Sequence, residues 1–456
     1  MAIKELTKGS PAKLITVFML PLFIGNVFQV FYNIVDALIV GRIIGINALG
    51  AVGATSSLIF LVISFVFAST QGFTVITAQR FGAGDHDGVR KSVATSIVLS
   101  AGLTVILTLI SAPFSRQLLE LLQTPPEIID MSTQYLFIMF AGIFATVFYN
   151  LGSNVIRALG DSKTPLYFLI FATVLNMILA YSFVKYLRLG VAGAGIATVI
   201  AQFIATILCL SFMFAKFPIV RLKKSDWQID RKFALLHLNT GIPMGLQMSV
   251  LSLGIVVLQF VINGFGTDAV AAYTTAIRIE QIFSQAFVAL GAAMAVYTAQ
   301  NYGAKKMSRI RKGSHFAVAL VIGLCLAALV IIKLFAPAMI SVFMDVPKPE
   351  VVSLACEYLN IVVLFYIFLG ILLVYRNVLQ GSGNVITPLF SGTSELIMRA
   401  GGAVILGHYF GFTGVCYASP AAWVCAAIVL YVGYKFTVRM RVMEFRRNKS
   451  LQTDKQ

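Results

Sequence analysis

Apolar residues run along this chain in blocks too long for a water-soluble core. At 1.5 Å of rise per residue, about 20 residues of helix cross a hydrocarbon layer about 30 Å thick. Blocks of that length fall near residues 14–40, 48–78, 92–112, 131–156, 164–184 and 190–214. A polar break over 216–232 follows, and the blocks resume near 240–263, 267–299, 314–336, 351–379, 388–407 and 412–434. The pattern predicts an all-α polytopic membrane protein with about twelve transmembrane helices, six on each side of the break.

The two halves are copies. Ala78-Gln79-Arg80-Phe81-Gly82-Ala83 returns as Ala299-Gln300-Asn301-Tyr302-Gly303-Ala304, 221 residues later. Thr164-Pro165-Leu166-Tyr167 returns as Thr387-Pro388-Leu389-Phe390, 223 later, and Pro126-Glu127 as Pro349-Glu350. Each copy holds an even number of spans, so both insert the same way up. The copies are then parallel six-helix bundles related by a pseudo-twofold along the membrane normal, an arrangement in which a transported molecule binds where the repeats meet.

Composition agrees: 59% of the 456 residues are hydrophobic and 12% charged, with a mean hydropathy of +0.89. The net charge of +17 points at first to nucleic acid. Its distribution removes that reading. With both termini cytoplasmic, 26 of the 35 Lys and Arg fall in inside segments and 6 outside. The positive-inside rule assigns this charge to cytoplasmic loops facing anionic lipid, and no nucleic-acid partner is needed. The expected division is an N-terminal bundle over 1–215, a cytoplasmic basic linker over 216–239, a C-terminal bundle over 240–434 and a basic cytoplasmic tail over 435–456.

Candidate chemistry is sparse. The five cysteines show no CxxC spacing, the four histidines form no HExxH, and neither a Walker A sequence nor a GxSxG elbow occurs. The first apolar run lacks a short cleavable pattern and reads as a retained helix. That run carries one acid, Asp36, with no Lys or Arg between Lys13 and Arg42. An ionisable group at bilayer depth costs about 2.5 to 3.5 kcal/mol. Desolvation penalises the charged form, so such an acid is suited to binding and releasing a proton or small cation; the plainer reading is an acid that reaches water or a cation on another helix. Pro21, in the same span, removes a backbone hydrogen bond and is expected to bend the helix, as is Pro243 at the equivalent place in the second copy. Pro165 and Pro388, by contrast, open their spans.

The VDALIVGR stretch around Asp36, the TAQRFGAG and TAQNYGA span ends and the six-plus-six repeat together resemble the multidrug and toxic compound extrusion (MATE) family, from about Pro21 to Tyr434. The resemblance implies two bundles forming a V, a central cleft open alternately to either side, and export of organic cations driven by sodium or proton entry across a bacterial plasma membrane. No cofactor beyond the ion gradient is implied, no enzymatic activity is expected, and the protein is expected to act as a monomer. The resemblance also makes Asp36 the coupling acid, helped by polar residues of the fifth and sixth spans, here Asn176 and Thr198, with sodium at Asp36 as a further possibility.

Where many relatives carry a second acid one turn after Asn176, this chain has Ala180, and the seventh span holds Gln247, Ser249 and Ser252 but no acid. A proton asks for one carboxylate, whereas sodium needs several oxygens in a fixed cage, so protons are the expected coupling ion. The second half has charges of its own: Arg278, Glu280, Arg376, Glu395 and Arg399. Glu395 and Arg399 stand i, i+4 and can pair on one helix face, whereas Arg278 and Glu280 stand i, i+2 and cannot. Glu280 is expected to look to Arg376 or Arg399. Either Glu280 or Glu395 serves as a second titrating or drug-binding acid, or the set is a mutually neutralising network that holds the bundle rigid. The 36 Phe, 16 Tyr and 15 Met suit flat, greasy cations. The alternative within the same superfamily is a flippase of lipid-linked oligosaccharide.

Overall fold

The computed structural model describes residues 5–343 and 348–453, without the side chains of residues 33–34, 36–38 and 439–453. Fifteen α-helices and two short 3-10 turns account for the secondary structure among these residues, with no strand. In the first copy they are α1 (Pro11–Ile43), α2 (Ile46–Gly82), α3 (His86–Ser111), α4 (Ser115–Leu121), α5 (Pro126–Ala141), α6 (Ile143–Ala158), α7 (Lys163–Lys185) and α8 (Gly190–Lys216). The second copy has α9 (Arg231–Asn263), α10 (Thr267–Gly303), α11 (Met307–Ser341), α12 (Pro349–Leu364), α13 (Tyr366–Gly381), α14 (Ile386–Cys416) and α15 (Ala418–Thr453).

Nine of these helices are long and apolar enough to cross a membrane, and two bent pairs, α5 with α6 and α12 with α13, raise the number to eleven among the described residues. The twelfth expected span is α14, whose apolarity is lowered by Glu395 and Arg399. The protein is an all-α polytopic membrane protein. Only helices keep every backbone N–H and C=O paired where no water reaches them.

The two bends were not visible in the apolar runs. They amount to 43° at Gly142 and 51° at Phe365, positions 223 apart. Both breaking residues leave the helical region, with φ and ψ of −85° and 4° at Gly142 and −98° and 0° at Phe365. A tighter i, i+3 turn follows each, from the Ala145 N–H to the Gly142 carbonyl (3.1 Å) and from the Phe368 N–H to the Phe365 carbonyl (2.9 Å). Glycine and phenylalanine have opposite backbone preferences, so packing sets the bend rather than residue type. Gly411, inside α14, has φ of 62° and ψ of −145°, and its counterpart Gly190 has φ of 58°. A left-handed residue at this point stops one span and starts the next in both copies.

Packing divides the chain into two compact units, Met1–Glu5 with Ile24–Gly245, and Leu6–Phe23 with Leu246–Gln456. The division therefore differs from one at residues 215 and 240. It falls inside α1 and α9, just after Pro21 and Pro243 and at the same offset in both, so the opening turns of each of these helices pack with the other copy. In the second unit Leu6, Ile15, Phe18, Met19 and Leu22 join the core formed around Phe287, Tyr297 and Tyr366. Polar contacts fix the same segment. The Leu6 N–H donates to Gln300 Oε1 (2.8 Å), its carbonyl accepts from Asn301 Nδ2 (3.2 Å), and the Thr7 carbonyl accepts from Lys306 Nζ (3.0 Å). The Ala299-Gln300-Asn301 end of the repeated motif, read above only as the end of a span, thus also holds main chain.

In the first unit the opening turns of α9 are held by His237, whose Nε2 shares a hydrogen bond with Ser92 Oγ (2.8 Å); Ser92 in turn bonds Thr77 Oγ1 (2.8 Å). Close by, α2 and α9 touch backbone to backbone: a Cβ added at Gly72 would stand 2.5 Å from Gly241 Cα. Gly72→Ala is expected to lose about 1 to 3 kcal/mol of stability by overpacking. Gly53→Ala in the same helix, where a Cβ meets nothing within 4 Å, should be neutral or gain about 0.5 to 1 kcal/mol. Thermal unfolding of the two variants in detergent checks the pair.

Candidate functional site

In the first unit the polar residues expected to act together are neighbours. Small residues at Gly193 and Gly195 bring α8 close to its neighbours, since a Cβ at Gly193 would lie 3.2 Å from Phe183 Cβ of α7. That approach lets Asn176 Nδ2 on α7 donate to Thr198 Oγ1 on α8 (2.9 Å), and the Thr198 hydroxyl donates to the Ala194 carbonyl (3.1 Å). Asn176 is 2% exposed and its Oδ1 has no partner among the described residues. Ala180, one turn on, is fully buried and offers no polar side-chain atom. Asp36 lies on α1, and its side chain is outside those described.

The second unit carries a charge network. Glu395 on α14 binds two guanidinium groups at once, Arg376 Nη2 from α13 at 2.8 Å and Arg399 Nη2 from one turn along α14 at 2.7 Å. The i, i+4 pairing of Glu395 with Arg399 is the expected one. All three side chains are under 10% exposed, and the Nε atoms of both arginines lack partners among the described residues. The Arg399 guanidinium lies along α9, where a Cβ at Gly254 would come within 3.4 Å of Nη1.

Glu280 departs from expectation. Its Oε2 accepts from the Tyr358 hydroxyl of α12 (2.6 Å), not from an arginine, although Arg399 is within electrostatic reach. The physical reason is that Glu395 already occupies both arginines. Arg278 is exposed on α10 and forms no ion pair among the described residues. Gln247 sits in a neutral network that residue types alone did not reveal: its Oε1 accepts from Gln380 Nε2 (2.8 Å) and its Nε2 donates to the Pro388 carbonyl (2.6 Å). Among the described residues no three His, Cys, Asp or Glu side chains converge as they would around a metal.

Comparison with known proteins explains the duplication. Residues 21–182 and again 243–405 match the MatE family, so one family pattern fits the chain twice. The chain belongs to the MatE family. This MatE protein is 30% identical over 437 residues to the probable multidrug resistance protein YpnP of Bacillus subtilis, covering 95% of this chain and 96% of that one. Its fold matches a solved outward-facing conformation of a multidrug resistance MATE family transporter with a TM-score of 0.90 and 25% identity, over 96% of this chain and 98% of that one. It also matches a MOP superfamily transporter from Pyrococcus furiosus (TM-score 0.89, 25% identity, 96% and 98% covered), of which it is said that reverse polarity of the binding pocket suggests a different function. The family is one of multidrug efflux transporters, not enzymes.

The network makes a graded prediction. Removing one partner of a buried ion pair costs about 3 to 5 kcal/mol because the other charge is stranded. Glu395→Gln strands two guanidinium groups, whereas Arg399→Met leaves Glu395 paired with Arg376. Thermal unfolding should therefore fall furthest for Glu395→Gln, less for Arg399→Met, and recover in part when Glu395→Gln is combined with Arg399→Met.

Proposed function

We propose that this MatE protein is a secondary antiporter of a bacterial plasma membrane. In this reading it exports organic cations from the cytoplasm by alternating access in exchange for protons, with Asp36 as coupling acid and both termini cytoplasmic. The excess of Lys and Arg in the inside segments supports the orientation, and the multidrug relatives support the substrate class.

The observation that carries the coupling is the carbonyl oxygen of Asn176, which has no partner among the described residues. Two facts support placing α1 alongside α7: a Cβ at Gly25 would meet Leu166 of α7 at 3.3 Å, and Val40 belongs to the same apolar cluster as Val184 of α7 and Val191 of α8. Position 36 is eleven residues on from Gly25 and Asn176 is ten on from Leu166. Both helices are odd-numbered crossings and run the same way, so both positions come about 15 Å along at 1.5 Å per residue. Position 36 also shares a helix face with Val40, one turn away. A protonated carboxyl has a hydrogen to donate to Asn176 Oδ1, and an ionised one has none. Proton uptake would then add a bond on this side while removing the charge that attracts a cationic drug. Drug and proton exclude each other, which is what antiport requires. A sodium ion in the same place would draw on the Asn176 and Thr198 oxygens and on backbone carbonyls, with nothing from Ala180.

The test uses purified protein in liposomes with a fluorescent organic cation and an imposed pH or sodium gradient. Export should follow the pH gradient without sodium and disappear in Asp36→Asn, which keeps the shape and loses the titration. Asn176→Ala should weaken coupling by about 0.6 to 2 kcal/mol, the range of a hydrogen bond within a membrane. Undiminished gradient-driven export by Asp36→Asn would remove the acid from the mechanism. Export driven by sodium alone, with no response to pH, would replace the proton.

A further inference from the structure

Among the described residues Arg157 is a half-buried cation without a counter-charge. Arg157, just past the apolar block that ends near residue 156, lies in the last turn of α6. The arginines of the other buried cluster share Glu395, Arg90 has Asp226 and Asp87, and Arg80 has Asp85. Arg157 forms no ion pair among the described residues. Its Nε is buried without a partner among those residues, and the one side-chain hydrogen bond it makes to them, from Nη1 to Asn154 Oδ1, is long at 3.4 Å. Asn154 is itself tied across to Thr70 Oγ1 on α2 (3.5 Å). The titratable groups that act on Arg157 are Tyr149 and Cys209, neither of them an anion at neutral pH. Asp161, the nearest acid in sequence, is engaged elsewhere, accepting from the Thr164 N–H (3.1 Å) and hydroxyl (2.6 Å) at the start of α7.

The second copy shows what this position needs for packing alone. At an offset of 223, Asn154, Val155, Gly160 and Pro165 align with Asn377, Val378, Gly383 and Pro388, and Arg157 aligns with Gln380. Gln380 is neutral and satisfied by Gln247 at 2.8 Å. The two helices are of equal length, 16 residues, yet α13 has no basic residue in its last turn. Neither the helix dipole nor the bundle interior therefore demands a cation here. A guanidinium whose Nε is buried with no carboxylate beside it is costly, and in a membrane-spanning bundle such a charge is a candidate for a binding or transport site. The residue is half-buried, and the planar fork of an arginine fits two oxygens of a carboxylate or phosphate.

We propose that Arg157, steadied by Asn154, is the anchor of an anion site in the first unit that takes the carboxylate or phosphate group of a molecule carried by this transporter. The proposal rests on the export reading and adds a specificity to it: substrates carrying an acidic group beside their cationic part are recognised at two places. A phospholipid headgroup offers the same phosphate chemistry, and the test separates the two sources.

Full-length protein in nanodiscs of phosphatidylcholine is titrated, with no gradient present, with rhodamine B, which has a free carboxylate, and with its ethyl ester, which keeps the ring cation and lacks the acid. The readout is the ratio of the two affinities, so a general loss of folding cancels. Replacing Arg157 by the residue of the second copy, Arg157→Gln, should weaken rhodamine B about tenfold, the scale of a lost charge-assisted hydrogen bond, and leave the ester within about twofold; Arg157→Lys should fall between. In parallel, phosphatidylglycerol is added to the detergent-purified proteins and thermal unfolding is followed. If a lipid phosphate fills the site, phosphatidylglycerol stabilises the wild type and not Arg157→Gln, which supports the site with lipid as its source. An unchanged affinity ratio together with an unchanged lipid effect in Arg157→Gln would overturn the proposal. Because binding is read without a gradient, this outcome is independent of whether Asp36 couples export to protons.

Discussion

A charge or polar group inside a membrane-spanning bundle must find its partner within that bundle, because the lipid supplies none. This constraint shapes the second unit most plainly. Glu395 has both carboxylate oxygens taken, one by Arg376 and one by Arg399, so a single acid ties α13 to α14. With both arginines committed, Glu280 falls back on a tyrosine hydroxyl from α12. This pairing lets α14 hold its place as a span although it carries both Glu395 and Arg399.

The duplicated architecture obeys a second rule, that geometry repeats where side chains do not. The mid-span break recurs at Gly142 and Phe365, the left-handed stop at Gly190 and Gly411, and the point where packing changes hands recurs after Phe23 and after Gly245. The carbonyls of Pro165 and Pro388 are both capped from within their own unit, the first by the Tyr149 hydroxyl at 3.2 Å and the second by Gln247 Nε2 at 2.6 Å. An unlike donor on a different helix does the same work. The fold is thus specified by where bonds are needed more than by which residue meets the need.

That rule explains what could be read from the chain and what could not. The spans were legible because hydropathy over about 20 residues is a strong signal, the duplication because short motifs kept a near-constant offset, and the Glu395–Arg399 pair because i, i+4 spacing is local. The Tyr358 partner of Glu280 depends on which helices are neighbours, and no local spacing encodes that. The clamp on Leu6 and Thr7 works through backbone atoms, which leave no mark on the sequence of the clamped segment. Arg157 looked like a loop charge because α6 ends only one residue later. Asn176 and Thr198 were legible through family resemblance alone, as nothing in their spacing pairs residues on two helices.

The copies can be read as controls for one another, since each position shows what the shared fold tolerates. Asp36 corresponds to Leu258, buried at 2% exposure in the second unit, so packing at that place asks for an apolar side chain and the acid is an addition. Asn176 corresponds to Arg399 and Ser153 to Arg376, so the positions that carry the network in the second unit carry neutral groups in the first. The second unit pairs Arg376 and Arg399 with Glu395, and its Gln380 and Gln247 are closed on each other and on main chain. The first unit keeps an acceptor at Asn176 and a donor at Arg157 that nothing among the described residues fills. The two copies thus share one geometry and differ in chemistry: the second unit holds two arginines on Glu395, whereas Arg157 of the first has no ion pair among the described residues.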